Sequence, residues 1–359
     1  MAEIVLGIGT SHTPMLALPA ELWESYAQRD AENPELAFPP DGLVMPYKDA
    51  LAVVPAETRA KFRGAAPYPA QAEECQRALD ELAATLRATS PDVTIVITDD
   101  QDEWFFEDNM PALAVYWGET APLRPRWMPA GVRDRAVAEA ITRGYGDVPI
   151  DVPVPSAFGR HLIEYLIEHD FDVAHVRDVK PAYGGRVARR YPTRNGELQY
   201  VRDTPPREQG LPHGVSFVVK RLFDNQPRPI LPVFQNTCYP PNQPTPRRSF
   251  AMGRAVADAV SAWRERARVA IIASGGLSHF VVDEELDRSV LAALEKNDAD
   301  ALTSVPRHRL HSAASEALNW VALGGAMHAT GMRMELQAYV PVYRTPAGTG
   351  GGWAFARWR

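Results

Sequence analysis

Two short stretches decide the reading: S-G-G-L-S-H-F at Ser274–Phe280 and G-I-G-T-S-H-T-P-M-L at Gly7–Leu16. Each lies at the end of an apolar, β-branched run, Val269–Ala273 and Glu3–Ile8, and each presents one histidine, His279 and His12. Runs of that length and composition read as buried strands, and the Gly/Ser breaks read as the turns that leave them. One histidine at a strand end is ordinarily a satisfied turn residue. Two of them, each in a small-residue turn at the mouth of a buried strand, point to one site built between strand ends, where α/β proteins place their chemistry.

Working outward, further strands are expected at Asp92–Thr98, Ala112–Tyr116, Asp172–Val176, Ile230–Phe234 and Glu335–Val342. Helices are expected at Pro69–Ala88, where Cys75, Leu79, Leu82 and Leu86 form one apolar stripe, and at Val132–Arg143, Phe158–Glu168, Phe250–Ala267, Glu284–Glu295 and His311–Thr330. This alternation implies an α/β fold, a central mixed sheet flanked by helices with its loops gathered at one edge. One domain is expected over residues 1–359. Two segments break the pattern. Residues 18–67 are rich in Pro, Asp and Glu and read as an insertion with one or two short helices, a lid or an oligomer arm. Residues 181–209 read as a second insertion, basic and punctuated by Gly and Pro.

Composition narrows the partners. With 45% apolar and 23% charged residues the chain has the balance of an ordinary globular protein. A net charge of −7 without a compensating Lys/Arg block argues against nucleic acid or an anionic membrane as the main partner. No run of 18 apolar residues and no leader-like N-terminal pattern is seen, and Cys75 and Cys238 stand far apart, so a cytoplasmic protein without a disulfide framework is expected.

Six features carry candidate chemistry. His12 and His279 have been named; the two glycines before His279 let the backbone approach a ligand closely. His213, in P-H-G, precedes an apolar segment, and Glu316 sits mid-helix in S-A-A-S-E-A-L-N-W with small residues one turn before it. The acidic run Asp99–Glu103 follows a buried strand; in an extended segment Gln101 and Glu103 share one face. Asn236–Arg248 reads as a substrate loop with Arg247 or Arg248 as a carboxylate clamp, or as a solvated rim. His161, His169, His175, His308, His311 and His328 have no turn motif around them and are left outside the site. An imidazole, a carboxylate and a third ligand suit an Fe(II) centre with open positions, and histidines beside it suit proton transfer.

At these residues the chain resembles the class III (LigB-type) extradiol ring-cleavage dioxygenases, the superfamily of the protocatechuate 4,5-dioxygenase catalytic β subunit. The ordered set carries the resemblance: S-H-T-P at His12, the acidic turn Asp99–Gln101, H-G at His213, the N-T…P-R-R loop, G-G-L-S-H at His279, and S-E-A-L-N-W…G-G-A-M at Glu316. The resemblance implies a LigB-like catalytic domain in which His12 and Glu316 hold Fe(II), His279 is the acid/base and His213 handles the substrate. Where the family pattern has a second histidine ligand in N-D-H, this chain reads Asp99-Asp100-Gln101. Gln101 is expected as the third ligand because it keeps the charge of the ligand set, with Glu103 or water as the alternatives.

The implied activity is extradiol cleavage of a catechol-type aromatic acid, such as gallate, O-methylgallate or protocatechuate, by O2. The partners are then a small aromatic substrate and O2, with a homodimer as the expected assembly. A metal-dependent hydrolase or other Lewis-acid enzyme, or a non-catalytic aromatic-binding homologue, is the alternative on the same fold.

Overall fold

A computed structural model describes residues 1–33, 36–101, 103–105, 109–124, 135–144, 146, 148–179, 188–192, 198–202 and 210–359. Among them, nine strands make one mixed sheet: β1 Glu3–Thr10, β2 Val93–Asp99, β3 Leu113–Tyr116, β4 Ala174–Val176, β5 Ile230–Gln235, β6 Arg268–Ser274, β7 His279–Val281, β8 Met334–Tyr343 and β9 Thr349–Trp358. Their order is β7-β9-β1-β6-β2-β5-β3-β4, with β8 also paired to β9. The four strands β1, β6, β2 and β5 run parallel. Parallel strands are covered on both faces, and β2 and β5 are buried along their whole length, as is β6 after its first residue. That is why their sequences are continuous Val/Ile/Ala runs without alternation.

The mixed α/β sheet flanked by helices agrees with the sequence expectation. The helix Ala317–Thr330 lies on β6, β1 and β2, while Tyr68–Thr89 lies on β8, β9 and β1. Residues 317–327 are all buried, as expected for a helix apolar on every side. Pro246–Ala262 crosses this helix at backbone contact: a Cβ on Gly253 would stand 1.7 Å from the Ala322 carbonyl oxygen, and one on Gly325 would stand 2.0 Å from that of Phe250. No helix of the described residues is long and apolar enough to cross a membrane.

Four local expectations differ. No strand is expected at the Gly-rich stretch G-T-G-G-G-W, yet it opens β9, paired with β8 along its length and with β1 at its far end. Glycine weakens a strand on its own, so only the neighbouring strands reveal it. The helix expected at Phe250–Ala267 runs over Pro246–Ala262, begun by Thr245, whose hydroxyl accepts the Arg248 N–H. His311–Thr330 divides into a 3-10 turn, Ser312–Glu316, and the α-helix Ala317–Thr330. The helix expected at Val132–Arg143 is seen as Arg135–Gly144, its first three residues lying outside the described residues.

The first insertion holds more helix than the one or two short helices expected. It contains the short helical segments Ala20–Leu22, Trp23–Ala27, Gln28–Glu32, Tyr47–Val53 and Ala56–Lys61. It is fastened to the β8–β9 turn by buried Asp30, which accepts from Arg344 Nε at 2.8 Å and Nη2 at 2.9 Å and from the Thr349 hydroxyl at 2.6 Å. Trp23 adds an edge-on contact to Trp353. Of the second insertion, the hairpin Ala188–Pro192/Leu198–Arg202 is described, and the rest of 181–209 lies outside the described residues.

Candidate active site

Parallel pairing brings the carboxyl ends of β1, β6, β2 and β5 to one edge of the sheet. His12 follows β1 by two residues, Asp99 ends β2 and Ser274 ends β6. Glu316 arrives at the same edge from the Ser312–Glu316 turn, and the helix behind it explains the S-E-A-L-N-W spelling. Asn319 Nδ2 donates to Asp99 Oδ1 at 2.9 Å and to the Ser274 carbonyl at 3.3 Å. Trp320 Nε1 donates to the Gly275 carbonyl at 2.8 Å, and Gln235 Nε2 holds Asn319 Oδ1 at 3.1 Å. The helix start is thereby pinned to the ends of three strands.

The tautomer of His12 follows from its neighbours. The Ser274 hydroxyl donates to the Gly214 carbonyl at 2.8 Å, so at 2.9 Å from His12 Nδ1 its oxygen must accept. Nδ1 therefore carries a proton, and Nε2 is directed at Glu316 Oε2, 3.4 Å away. That same carboxylate oxygen accepts the Gly276 N–H at 2.6 Å and lies 3.5 Å from His279 Nε2. His279 donates Nδ1–H to the Leu277 carbonyl at 3.1 Å, so its Nε2 is also the atom turned to the centre. His279, at 12% side-chain exposure, is more open to solvent than His12 or Glu316, each at 1%.

The acidic turn is not extended. Asp100 folds it by accepting the backbone N–H groups of Glu103, Trp104 and Phe105, so the expected alternation of faces is replaced by divergence. Gln101 Nε2 donates to Glu316 Oε1 at 2.7 Å and to Asp99 Oδ2 at 3.1 Å. Glu103 turns instead to His213, accepting its backbone N–H at 3.1 Å and pairing with its Nδ1. His213 begins the helix His213–Arg221, and its Nε2 lies 3.2 Å from His12 Nε2. Thus His12, Gln101, His213, His279 and Glu316 meet in one continuous cluster.

Burial shapes the charges. It would raise the Glu316 carboxyl, but His279, His12 and the Gly276 N–H outweigh it and hold the group far below the ordinary carboxylate range. Asp99 is pushed up to about 7 by burial and by the charge of Glu316, against the opposing pull of His12, Gln101 and Asn319. Burial disfavours the charged form of His12, yet Glu316, Asp99 and Glu103 raise it above its ordinary value. A buried cluster with this much unbalanced carboxylate favours a cation of any kind.

The donor chemistry fits a divalent metal. One ring nitrogen of His12 and one carboxylate oxygen each of Asp99 and Glu316 lie within 4.8 Å of one another, and all three residues are buried. The Nδ1–H to Ser274 contact is the outer bond that fixes an imidazole for ligation. Asp99 was not singled out by the sequence. Its signal was its place, the last residue of a fully buried strand parallel to the one that delivers His12. The candidate clamp is elsewhere: Arg248 donates to the Asp170 carbonyl at 2.8 Å and lies over the Phe171 ring, and Arg247 is exposed. Of the histidines set aside, His161, His169 and His328 bond Ala259, Tyr165 and Asn297, and His175 pairs with Trp117, all away from the cluster.

Comparison with known proteins gives this geometry its relatives. The chain is 27% identical over 214 residues to a 2,3-dihydroxyphenylpropionate/2,3-dihydroxicinnamic acid 1,2-dioxygenase of Photorhabdus laumondii, covering 59% of this chain and 51% of that protein. It is 27% identical over 210 residues to a gallate dioxygenase of Pseudomonas putida, covering 55% of this chain and 53% of that protein. The chain thus spans about half the length of the curated relatives it matches. A family model described as the catalytic LigB subunit of aromatic ring-opening dioxygenase matches residues 64–350. With the strand-edge cluster inside that span or joined to it by His12, the chain belongs to the LigB family.

Proposed function

We propose that this protein is an Fe(II)-dependent extradiol dioxygenase that opens the ring of a catechol-type aromatic acid with O2, the acid being gallate, O-methylgallate or protocatechuate-like. The observation that carries the reading is the convergence of His12, His213, His279 and Glu316 at one sheet edge in a LigB family member. His12 and Glu316 would hold the ion. When bound, Fe(II) supplies adjacent coordination positions for the two substrate oxygens and O2, and a path for electron density between them.

The remaining steps belong to the chain. His279 takes the proton of a substrate hydroxyl on Nε2, since its Nδ1–H is committed to the Leu277 carbonyl. Its partial exposure, against nearly none for His12 and Glu316, supports that role. His213, held through Nδ1 and its own N–H by Glu103, turns Nε2 to the cluster, where it would accept from a substrate hydroxyl when neutral and donate to an oxyanion when protonated.

The test is O2 uptake and ring-fission absorbance over a catechol panel, with and without air. Turnover that needs O2 is expected, and turnover without it would favour a Lewis-acid hydrolase, which the departure from a second histidine at Gln101 keeps as the second reading. His279→Ala is expected to retain the metal and lose turnover, whereas His12→Ala and Glu316→Ala lose the metal itself. A metal-free His279→Ala protein would reassign His279 as a ligand.

A further inference from the structure

We infer that Asp99 is the third protein ligand of the metal centre, in place of the histidine of the family pattern, and that Gln101 is the bridge that fixes the two carboxylates. The inference rests on the reading that His12 and Glu316 hold a divalent ion. Three observations lead to it. First, Asp99 completes the compact buried set with His12 and Glu316. Second, both hydrogens of the Gln101 amide are in use, one on Asp99 Oδ2 and one on Glu316 Oε1. For its oxygen to meet an ion the amide must turn over, losing both bonds and setting its oxygen against two carboxylates. Third, Glu103, the other alternative, has its two oxygens on His213.

Asp99 is also oriented as a ligand is. Its Oδ1 accepts from Asn319, which Gln235 holds in turn, so the carboxylate is braced from behind while Oδ2 stays on the side of Gln101. A centre with one imidazole and two carboxylates carries one more negative charge than one with two imidazoles and one carboxylate. It is therefore a harder donor set, one that takes Mn(II) as well as the Fe(II) of the proposed reaction. The competing assignment is His213, whose Nε2 faces His12 Nε2 at 3.2 Å.

The test is anaerobic calorimetric titration of the metal-stripped full chain with Mn(II) and Fe(II), together with pulsed EPR of the Mn(II) protein, which counts coordinated imidazoles. One ion per chain and one imidazole are expected. Asp99→Asn should weaken binding by more than ~100-fold, and Gln101→Ala, which removes the two outer bonds to Asp99 and Glu316, by ~10-fold. An Asp99→Asn protein that binds like wild type, or a count of two imidazoles, overturns the inference; in the second case the metal content of His279→Ala tells His279 from His213 as the added ligand. The imidazole count is read on the wild-type chain, so it decides even where the Asp99→Asn chain fails to fold. Failure of the underlying reading looks different: His12→Ala and Glu316→Ala would then bind the ions as wild type does, or wild type would bind none.

Discussion

A methyl group at position 276 would stand 1.9 Å from Cε1 of His279. The G-G of the turn is therefore a space requirement: the imidazole lies where any side chain on Gly276 would be, while the Gly276 N–H holds Glu316. Gly276→Ala is expected to displace the His279 ring, lowering kcat by ~100-fold, the scale of an ångström misplacement of a reacting group. Metal content and melting temperature should change little; loss of metal together with activity would show the damage lies at Glu316 instead. Phe280, next to His279, has a positive φ of 61°, a conformation L-residues adopt at a cost. At this scale His12, His213, His279 and Glu316 were legible, because each sits in a local motif that needs only its neighbours in sequence to be noticed. Asp99 was not, because a carboxylate at a strand end acquires meaning only beside residues 12 and 316, which pairing of β1, β6 and β2 brings near.

Among the elements, the His279 turn is braced by the first turn of Glu284–Glu295. Asp287 accepts the Ser278 N–H at 2.8 Å, the Ser278 hydroxyl at 2.7 Å and the Tyr339 hydroxyl of β8 at 2.8 Å. Burial nevertheless lifts its carboxyl from the ordinary 3.8 to about 7. A carboxyl raised on folding stabilises the native state below its unfolded value, and that contribution is lost as pH rises through the folded one. Stability should therefore fall between about pH 4 and 7 by up to ~1.4 kcal/mol per pH unit from this group. Asp287→Asn should remove that component, flattening urea-derived stability across the same window; a slope unchanged in the variant would remove Asp287 as its source. The buried strands were legible as elements from their β-branched runs, and most helices from their periodicity. The β9 strand was hidden because its glycines look like a turn until β8 and β1 lie alongside. The helix at His213–Arg221 read only as an apolar segment, since nearly every side chain in it is buried and no polar face marks the period.

For the molecule as a whole, the Asp30–Arg344 pair joins the first insertion to the C-terminal hairpin in a buried setting. Removing one partner leaves the other charge uncompensated, so Arg344→Leu is expected to cost about 3–5 kcal/mol. Proteolysis should then cut first within residues 18–67 while the parallel core stays protected; cleavage spread evenly over the chain would show that the insertion is integral to global stability. One hydrogen bond of the site, His12 to Ser274, already spans 262 residues, and Glu316 comes later still. The cluster thus draws on the first strand of the sheet and on a turn that leads into its last long helix. During synthesis, a ribosome that has released residues 1–300 has made His12, Asp99 and His279 but not Glu316. A chain that stops before residue 316 therefore lacks the complete donor set, so the cluster closes only after the parallel strands that carry its other members have been made.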